Sequence, residues 1–76
     1  MALKHSREEA RTAKVAAVNR FHNDQDVTGI GIGMTEDRSD YAVTVTVAND
    51  FALNRIPHKI KGVPVRAVIL GTNHLL

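Results

Sequence analysis

The chain has 76 residues, a length typical of one small domain. It contains no cysteine, which excludes a disulfide framework, a thiolate nucleophile and a cysteine zinc site. Its hydrophobic content of 43% argues against disorder, and no apolar run approaches the roughly 20 residues that span a bilayer. We therefore predict a single cytoplasmic domain over residues 1–76, with no membrane segment.

The net charge of +2 hides a strong segregation along the chain. Residues 1–20 carry five basic and two acidic side chains, residues 21–50 carry one basic and six acidic, and residues 51–76 carry four basic and none acidic. Such asymmetry can steer a charged partner toward one part of the surface.

The first predicted element is a helix over residues 6–22. Ser6 followed by Glu9 matches the capping box, in which each side chain accepts a hydrogen bond from the backbone of the other residue. At 100° per residue, one face of this helix is small and apolar, with a single aromatic ring at its far end. Its members are Ala10, Ala13, Ala17 and Phe21.

Two strands with a period of two follow, over residues 27–34 and 41–48, and a polar loop joins them. The short connection predicts an antiparallel hairpin. One face of the hairpin is branched and apolar, and we expect it to pack on the helix. It comprises Ile30, Ile32, Met34, Val43, Val45 and Val47.

The rest of the chain predicts a short helical turn over residues 51–56 and a last strand over residues 63–70. The order is therefore α-β-β-(short α)-β. We predict an α+β fold, a two-layer sandwich in which the N-terminal helix packs on a three-stranded sheet. The connection before the last strand is long enough for a crossover, and we expect the strand order 2-1-3.

The face of the hairpin opposite the helix is almost bare of side chains. Glycine inside a strand costs roughly 0.5–1 kcal/mol relative to alanine, so three in one strand need a compensating reason, such as close approach of another backbone. We predict a non-enzymatic interaction module that forms a homo-oligomer, or docks a protein partner, through this face. Its residues are Gly29, Gly31, Gly33, Thr44 and Thr46.

A second hypothesis assigns the protein to the small basic nucleic-acid binders. Basic residues recur along one side of the first helix at spacings of three and four, and such a stripe can contact phosphates or an acidic partner. A solvated helix face is the alternative. The stripe consists of Lys4, Arg7, Arg11 and Lys14, and a second basic patch would comprise Lys59, Lys61 and Arg66.

We expect no catalytic residues, no metal and no cofactor. The Gly-x-Gly-x-Gly run at 29–33 lacks the helix and the Gly-Lys-Ser/Thr sequence of nucleotide-binding loops. The only serines are Ser6, which caps the helix, and Ser39, which has no histidine near it in sequence. The histidines lack the spacing of a helical metal site. They are His5, His22, His58 and His74.

Three segments together suggest a family: Val27-Thr-Gly-Ile-Gly-Ile-Gly, Tyr41-Ala-Val-Thr-Val-Thr-Val and Ile56-Pro-His-Lys-Ile-Lys-Gly-Val-Pro-Val. Over residues 27–70 they resemble the short α/β segment that precedes the catalytic domain in some bacterial trypsin-like proteases. In that family the segment is not itself catalytic, so the resemblance implies a structural module and no active-site residues. This chain departs from the pattern in its short hairpin loop.

Overall fold

The computed structural model describes residues 3–69. Among them, no helix is long and apolar enough to cross a bilayer. The fold is α+β, with one long helix lying against a mixed four-stranded sheet. The elements in chain order are α1 (Arg7–Phe21), β1 (Val27–Met34), β2 (Tyr41–Val47), α2 (Asp50–Leu53), β3 (Lys59–Ile60) and β4 (Val63–Ile69).

The predicted capping box is present at the start of α1. The Ser6 hydroxyl accepts a hydrogen bond from the Glu9 N–H at 3.0 Å, and the Glu9 carboxylate accepts one from the Ser6 N–H at 2.7 Å. The helix ends at Phe21, with His22 as its C-cap. The four residues predicted to face the core, from Ala10 to Phe21, are all buried. Both the helix and its apolar face are therefore confirmed.

The sheet has the order β1-β2-β4-β3, so the predicted order 2-1-3 is wrong, as is the count of three strands. The predicted hairpin is confirmed, because β1 and β2 pair in antiparallel fashion. After a crossover that includes α2, β4 pairs in parallel with β2, not with β1. The valine-rich strand thereby takes the central position, where its side chains are covered, and the glycine-rich strand, which offers little to bury, lies at the edge.

The core lies between the sheet and the two helices. The largest fully buried side chains are Val43, Val45 and Val47 of β2 and Val63 of β4. Ala13 and Ala17 of α1 have no exposed surface, and such small side chains let the helix axis approach the sheet closely. Further members of this cluster are Phe21, Ala52, Ile56 and Ile60.

The second half of the chain has a shorter helical turn than the sequence predicts and one strand that the sequence does not predict. The helical turn is α2, which begins at Asp50 and ends at Leu53, and the Asn49 side chain caps it by accepting a hydrogen bond from the Ala52 N–H. Strand β3 pairs with the start of β4. Lys61 and Gly62 make the turn between them with positive φ angles of 53° and 79°. The end of the predicted last strand, at Leu70, lies outside the described residues.

Candidate functional site

The predicted bare face of the sheet lies on the side away from the helices. In the β1–β2 register, Gly29 is opposite Thr46 and Gly31 is opposite Thr44, so these residues share one face. A Cβ atom built on Gly31 would meet no atom within 4 Å. We call the surface formed by Gly29, Gly31, Gly33, Thr44 and Thr46, together with Arg66 and Val68 of β4, the open face.

The β2–β4 register shows which residues of the last strand belong to the open face. Thr44 is opposite Arg66, and Thr46 is opposite Val68. Two rows across the sheet, Gly31–Thr44–Arg66 and Gly29–Thr46–Val68, therefore rise from glycine on β1, through threonine on β2, to a larger side chain on β4. Arg66 is exposed and Val68 is half-buried. The open face thus has the shape of a ramp, low along β1 and high along β4.

The glycines of the open face do not have equal surroundings. A Cβ atom on Gly31 has open space around it, and one on Gly29 would make ordinary contacts of 3.7 Å with Thr46. A Cβ atom on Gly33 would lie 2.9 Å from the Thr44 hydroxyl, so that side chain would have to move. Gly31 is therefore the position at which added volume changes the surface without disturbing the chain itself.

A second surface lies where α1 passes beside β1. Arg7, Arg11 and Lys14 line a groove of about 510 Å³ there, with Ile32, Gly33, Met34 and Tyr41. The side chain of Ile32 is 37% exposed although it lies on the helix side of the sheet. We call this the basic groove. Three of the four residues of the predicted basic stripe thus share one concave surface.

The other basic residues predicted as contacts do not line the basic groove. Lys4 precedes α1 and lines a separate cleft that also contains Asp37, Asp40 and Lys59. Lys61 lies beside Glu8 and Glu9 near the start of α1. Arg66 is on the open face, and Lys59 is opposite Pro64, which lies two residues before Arg66 on the same side of β4. Two of the three residues of the predicted second patch thus share one face of the sheet, whereas Lys61 lies in the turn after β3.

A hydrogen-bonded pair that sequence spacing did not reveal, half-buried His5 with buried Asp40, joins the start of the chain to the hairpin loop. The Asp40 carboxylate lies 2.7 Å from Nδ1 of His5 and accepts hydrogen bonds from the backbone N–H groups of His5 and Tyr41. Asp40 is only 3% exposed. Burial acts to raise the pKa of Asp40, but the hydrogen bonds from the His5 ring, the His5 N–H and the Tyr41 N–H hold it below its ordinary value.

The loop before Asp40 is organised around another carboxylate. Asp37 accepts hydrogen bonds from the hydroxyl groups of Ser39 and Thr35 and from the Ser39 N–H. These bonds lower the pKa of Asp37 from 3.8 to about 2. Arg38 completes the turn with a φ of 61°. The Ser39 hydroxyl therefore donates to Asp37, and no Ser–His hydrogen bond occurs among residues 3–69.

A third polar cluster fixes the loop between α1 and β1. Arg55 donates hydrogen bonds to Asp24 and to Asp26 at 3.0–3.1 Å, and the Asn49 amide donates to Asp26 at 3.2 Å. The hydrogen bonds to Asp26 and Asp24 raise the pKa of Arg55 above its ordinary value. Because all these side chains are paired with one another, the cluster anchors α2. Within the described part of the chain, no three histidine or acidic residues come together as metal ligands.

Comparison with known proteins identifies no relative. No protein-family model, no curated protein and no solved structure matches the chain. The resemblance to the segment upstream of trypsin-like protease domains therefore stays a prediction. The two surfaces that stand out from the geometry are the open face and the basic groove, on opposite sides of β1.

Proposed function

We propose that this protein is a non-enzymatic association module that forms a homodimer through its open face. The observation that carries the proposal is the ramp, in which rows such as Gly31–Thr44–Arg66 rise from no side chain to a long one. A surface of this shape fits a second copy of itself. A two-fold axis parallel to the strands, between the two sheets, sets β4 of one copy over β1 of the other.

In this arrangement the glycines on the open face of β1 leave space for side chains of the second copy. The long side chain of Arg66 lies over Gly31 of the second copy, and Val68 lies over Gly29. The two central strands meet through Thr44 and Thr46, which are small enough for the sheets to pack at about 10 Å. The guanidinium group of Arg66 reaches water at the rim while its methylene groups cover the glycines.

Association with a partner adds stability to the fold of a chain this short. A small domain buries a modest fraction of its surface, and association is one of the common ways to add stability. The open face offers several uncharged positions on β1, β2 and β4 for such burial, with Arg66 as its exposed charge. Location in the cytoplasm is part of the same proposal, and fractionation of cells that express a tagged chain checks it.

Analytical ultracentrifugation of the wild type and of Gly31→Leu tests the dimer. The Cβ atom of a leucine at Gly31 meets no atom of its own chain within 4 Å, and the leucine side chain fills the space that Arg66 of the second copy needs. We expect a concentration-dependent dimer for the wild type and a folded monomer for Gly31→Leu. Asn19→Leu, which adds a similar apolar side chain on the exposed side of α1, is the control and should dimerise normally.

A wild type that sediments as a monomer at high micromolar concentration contradicts the proposal. So does a Gly31→Leu variant that dimerises as well as the Asn19→Leu control. Moderate salt should leave the dimer intact, because the contacts are mainly apolar and backbone packing.

Nucleic-acid binding remains a second candidate, and the gathering of Arg7, Arg11 and Lys14 in one groove favours it. Lys4 and Lys61 lie outside this groove, and Lys59 and Arg66 lie on the opposite face of the sheet, which argues against one continuous phosphate-binding surface. A gel shift that weakens steeply with salt and disappears in the Arg7→Glu/Arg11→Glu variant would support this candidate.

A further inference from the structure

The two edges of the sheet differ in how open they are to another strand. Strand β3 has only two residues, of which Lys59 is one, and Lys61 follows it directly. Short length and lysine side chains both discourage edge pairing. Strand β1 has eight residues with no charge and no proline. Within residues 3–69, no strand lies on the outer side of β1. The β3 edge of the sheet therefore discourages pairing with another strand, whereas the β1 edge can accept one.

The hydrogen-bond pattern of the hairpin shows which groups this edge presents. The Thr35 N–H donates to the Asp40 carbonyl at 2.9 Å, which makes this pair a hydrogen-bonded one. Because hydrogen-bonded and non-hydrogen-bonded pairs alternate in an antiparallel ladder, Gly33 and Gly31 bond to β2. The N–H and C=O groups of Ile32 and Ile30 then point outward, toward solvent or an added strand.

The basic groove runs along the same edge, on its helix side. The seven residues that line it include three cations and no carboxylate. Arg7 and Arg11 are four residues apart on α1, a rise of about 6 Å, which is close to the roughly 6.8 Å between alternate residues of a strand. An extended segment lying on the β1 edge would therefore bring every second side chain to one of these cations.

We propose that the basic groove binds an extended acidic segment of a partner protein, which adds a strand to the free edge of β1. Backbone groups of the segment bond to Ile30 and Ile32, and carboxylates at alternate positions pair with Arg7 and Arg11. This mode combines main-chain hydrogen bonds for affinity with side-chain contacts for specificity. It is independent of the homodimer, which uses the opposite face of the sheet.

Two other occupants fit the groove less well. The β1 strand of a second copy carries no acidic side chain, so it would leave the three cations unpaired. A nucleic acid would pair with the cations but would not use the alternating donors and acceptors of the edge. Tyr41 is the one aromatic side chain in the groove on which a base could stack.

Fluorescence anisotropy with synthetic peptides as long as β1 tests the proposal. The probe alternates glutamate and threonine, a second peptide replaces each glutamate by lysine, and a third carries the glutamates but is N-methylated at alternate backbone positions. We expect the first peptide to bind in the micromolar range and the second not to bind. The third should lose at least about tenfold in affinity, since it cannot complete the ladder.

Variants of the protein separate the two parts of the interaction. Arg7→Glu/Arg11→Glu should lower the affinity at least about tenfold, whereas Lys59→Glu/Lys61→Glu, with the same net charge, should bind the first peptide as the wild type does. Ile32→Pro removes an outward N–H and should bind more weakly than Ile32→Ala, which loses the side chain alone. Circular dichroism and urea unfolding establish that each variant is folded.

Four results would overturn the inference. The N-methylated peptide could bind as tightly as the unmodified one, which would reduce the interaction to charge alone. The Lys59→Glu/Lys61→Glu control could lose as much affinity as the groove variant. A single-stranded RNA of the same charge could bind more tightly than the peptide. Finally, the groove variants could dissociate the homodimer, which would assign this edge to a second copy.

Discussion

Strand β2 contributes to both faces of the sheet, and the two faces differ sharply. Toward the helices, Val43, Val45 and Val47 have no exposed surface and join the core with the alanines of α1. On the other side, Thr44 and Thr46 are half-buried, and neither helix covers them. The backbone is the same, so the difference comes from what packs against each face.

This contrast separates the two faces of one small sheet by what each contributes to the stability of the fold. The covered face holds the fold together, because each valine there loses its contact with water and gains close-packed neighbours. The open face contributes little to that packing, so its residues are free to be selected for their shape. Substitutions that test the contrast should therefore have large effects on unfolding on one side of β2 and small ones on the other.

The largest effect is expected on the covered face. Val45→Ala removes buried methyl groups and leaves a cavity, and it should lower the free energy of unfolding by about 2–3 kcal/mol. Thr44→Ala, one residue away on the open face, should cost less than about 1 kcal/mol. Urea unfolding at low protein concentration measures both. Equal losses at the two positions would mean that the faces are not energetically distinct.

A smaller effect is expected where the His5–Asp40 pair ties the start of α1 to the hairpin. Hydrogen bonds hold the pKa of Asp40 below its ordinary 3.8 despite burial, so the ionised form is favoured in the folded state. Its stabilising contribution is complete above the ordinary pKa and is lost as the pH falls below it. Asp40→Asn should therefore lower the urea midpoint at pH 7, by less than Val45→Ala does.

The pH dependence of the urea midpoint shows whether the charge of Asp40 acts through its hydrogen bonds or only through the net charge of the protein. The difference in urea midpoint between wild type and Asp40→Asn should shrink as the pH falls below 3.8. Glu36→Gln makes the same charge change at an exposed position of the same loop and should leave the midpoint nearly unchanged. A difference between wild type and Asp40→Asn that persists at low pH would show that the charge of Asp40 is not what stabilises the fold.

The smallest effect is expected within the open face itself. Gly31→Ala adds a methyl group in open space and should raise the free energy of unfolding by about 0.5–1 kcal/mol, because alanine suits a strand better than glycine. Gly33→Ala should raise the free energy of unfolding by less, or lower it, because its Cβ atom would lie 2.9 Å from the Thr44 hydroxyl. Urea unfolding at low concentration compares the two. Identical gains would contradict the described surroundings of these glycines.

Much of the local structure follows from the sequence because its signals are local. The capping box and the alanine spacing predict where α1 begins and which side it buries, and the period of two assigns the glycines and valines to opposite faces. The residues of the predicted interaction face do come together. Their use in association remains a proposal.

The tertiary structure alone decided the strand order and the pairing of His5 with Asp40. Both depend on residues far apart in the chain, and the His5–Asp40 pair spans 35 positions. Periodicity and capping depend on residues close together in the chain. Whether β4 pairs with β1 or with β2 depends on how much apolar surface the whole fold buries. By itself, the sequence determined α1, the β1–β2 hairpin and the inner and outer faces of both, but not the short strand β3. Packing determined the strand order, and within residues 3–69 it left the outer side of β1 without a neighbouring strand, because the valines of β2 are buried most completely at the centre of the sheet.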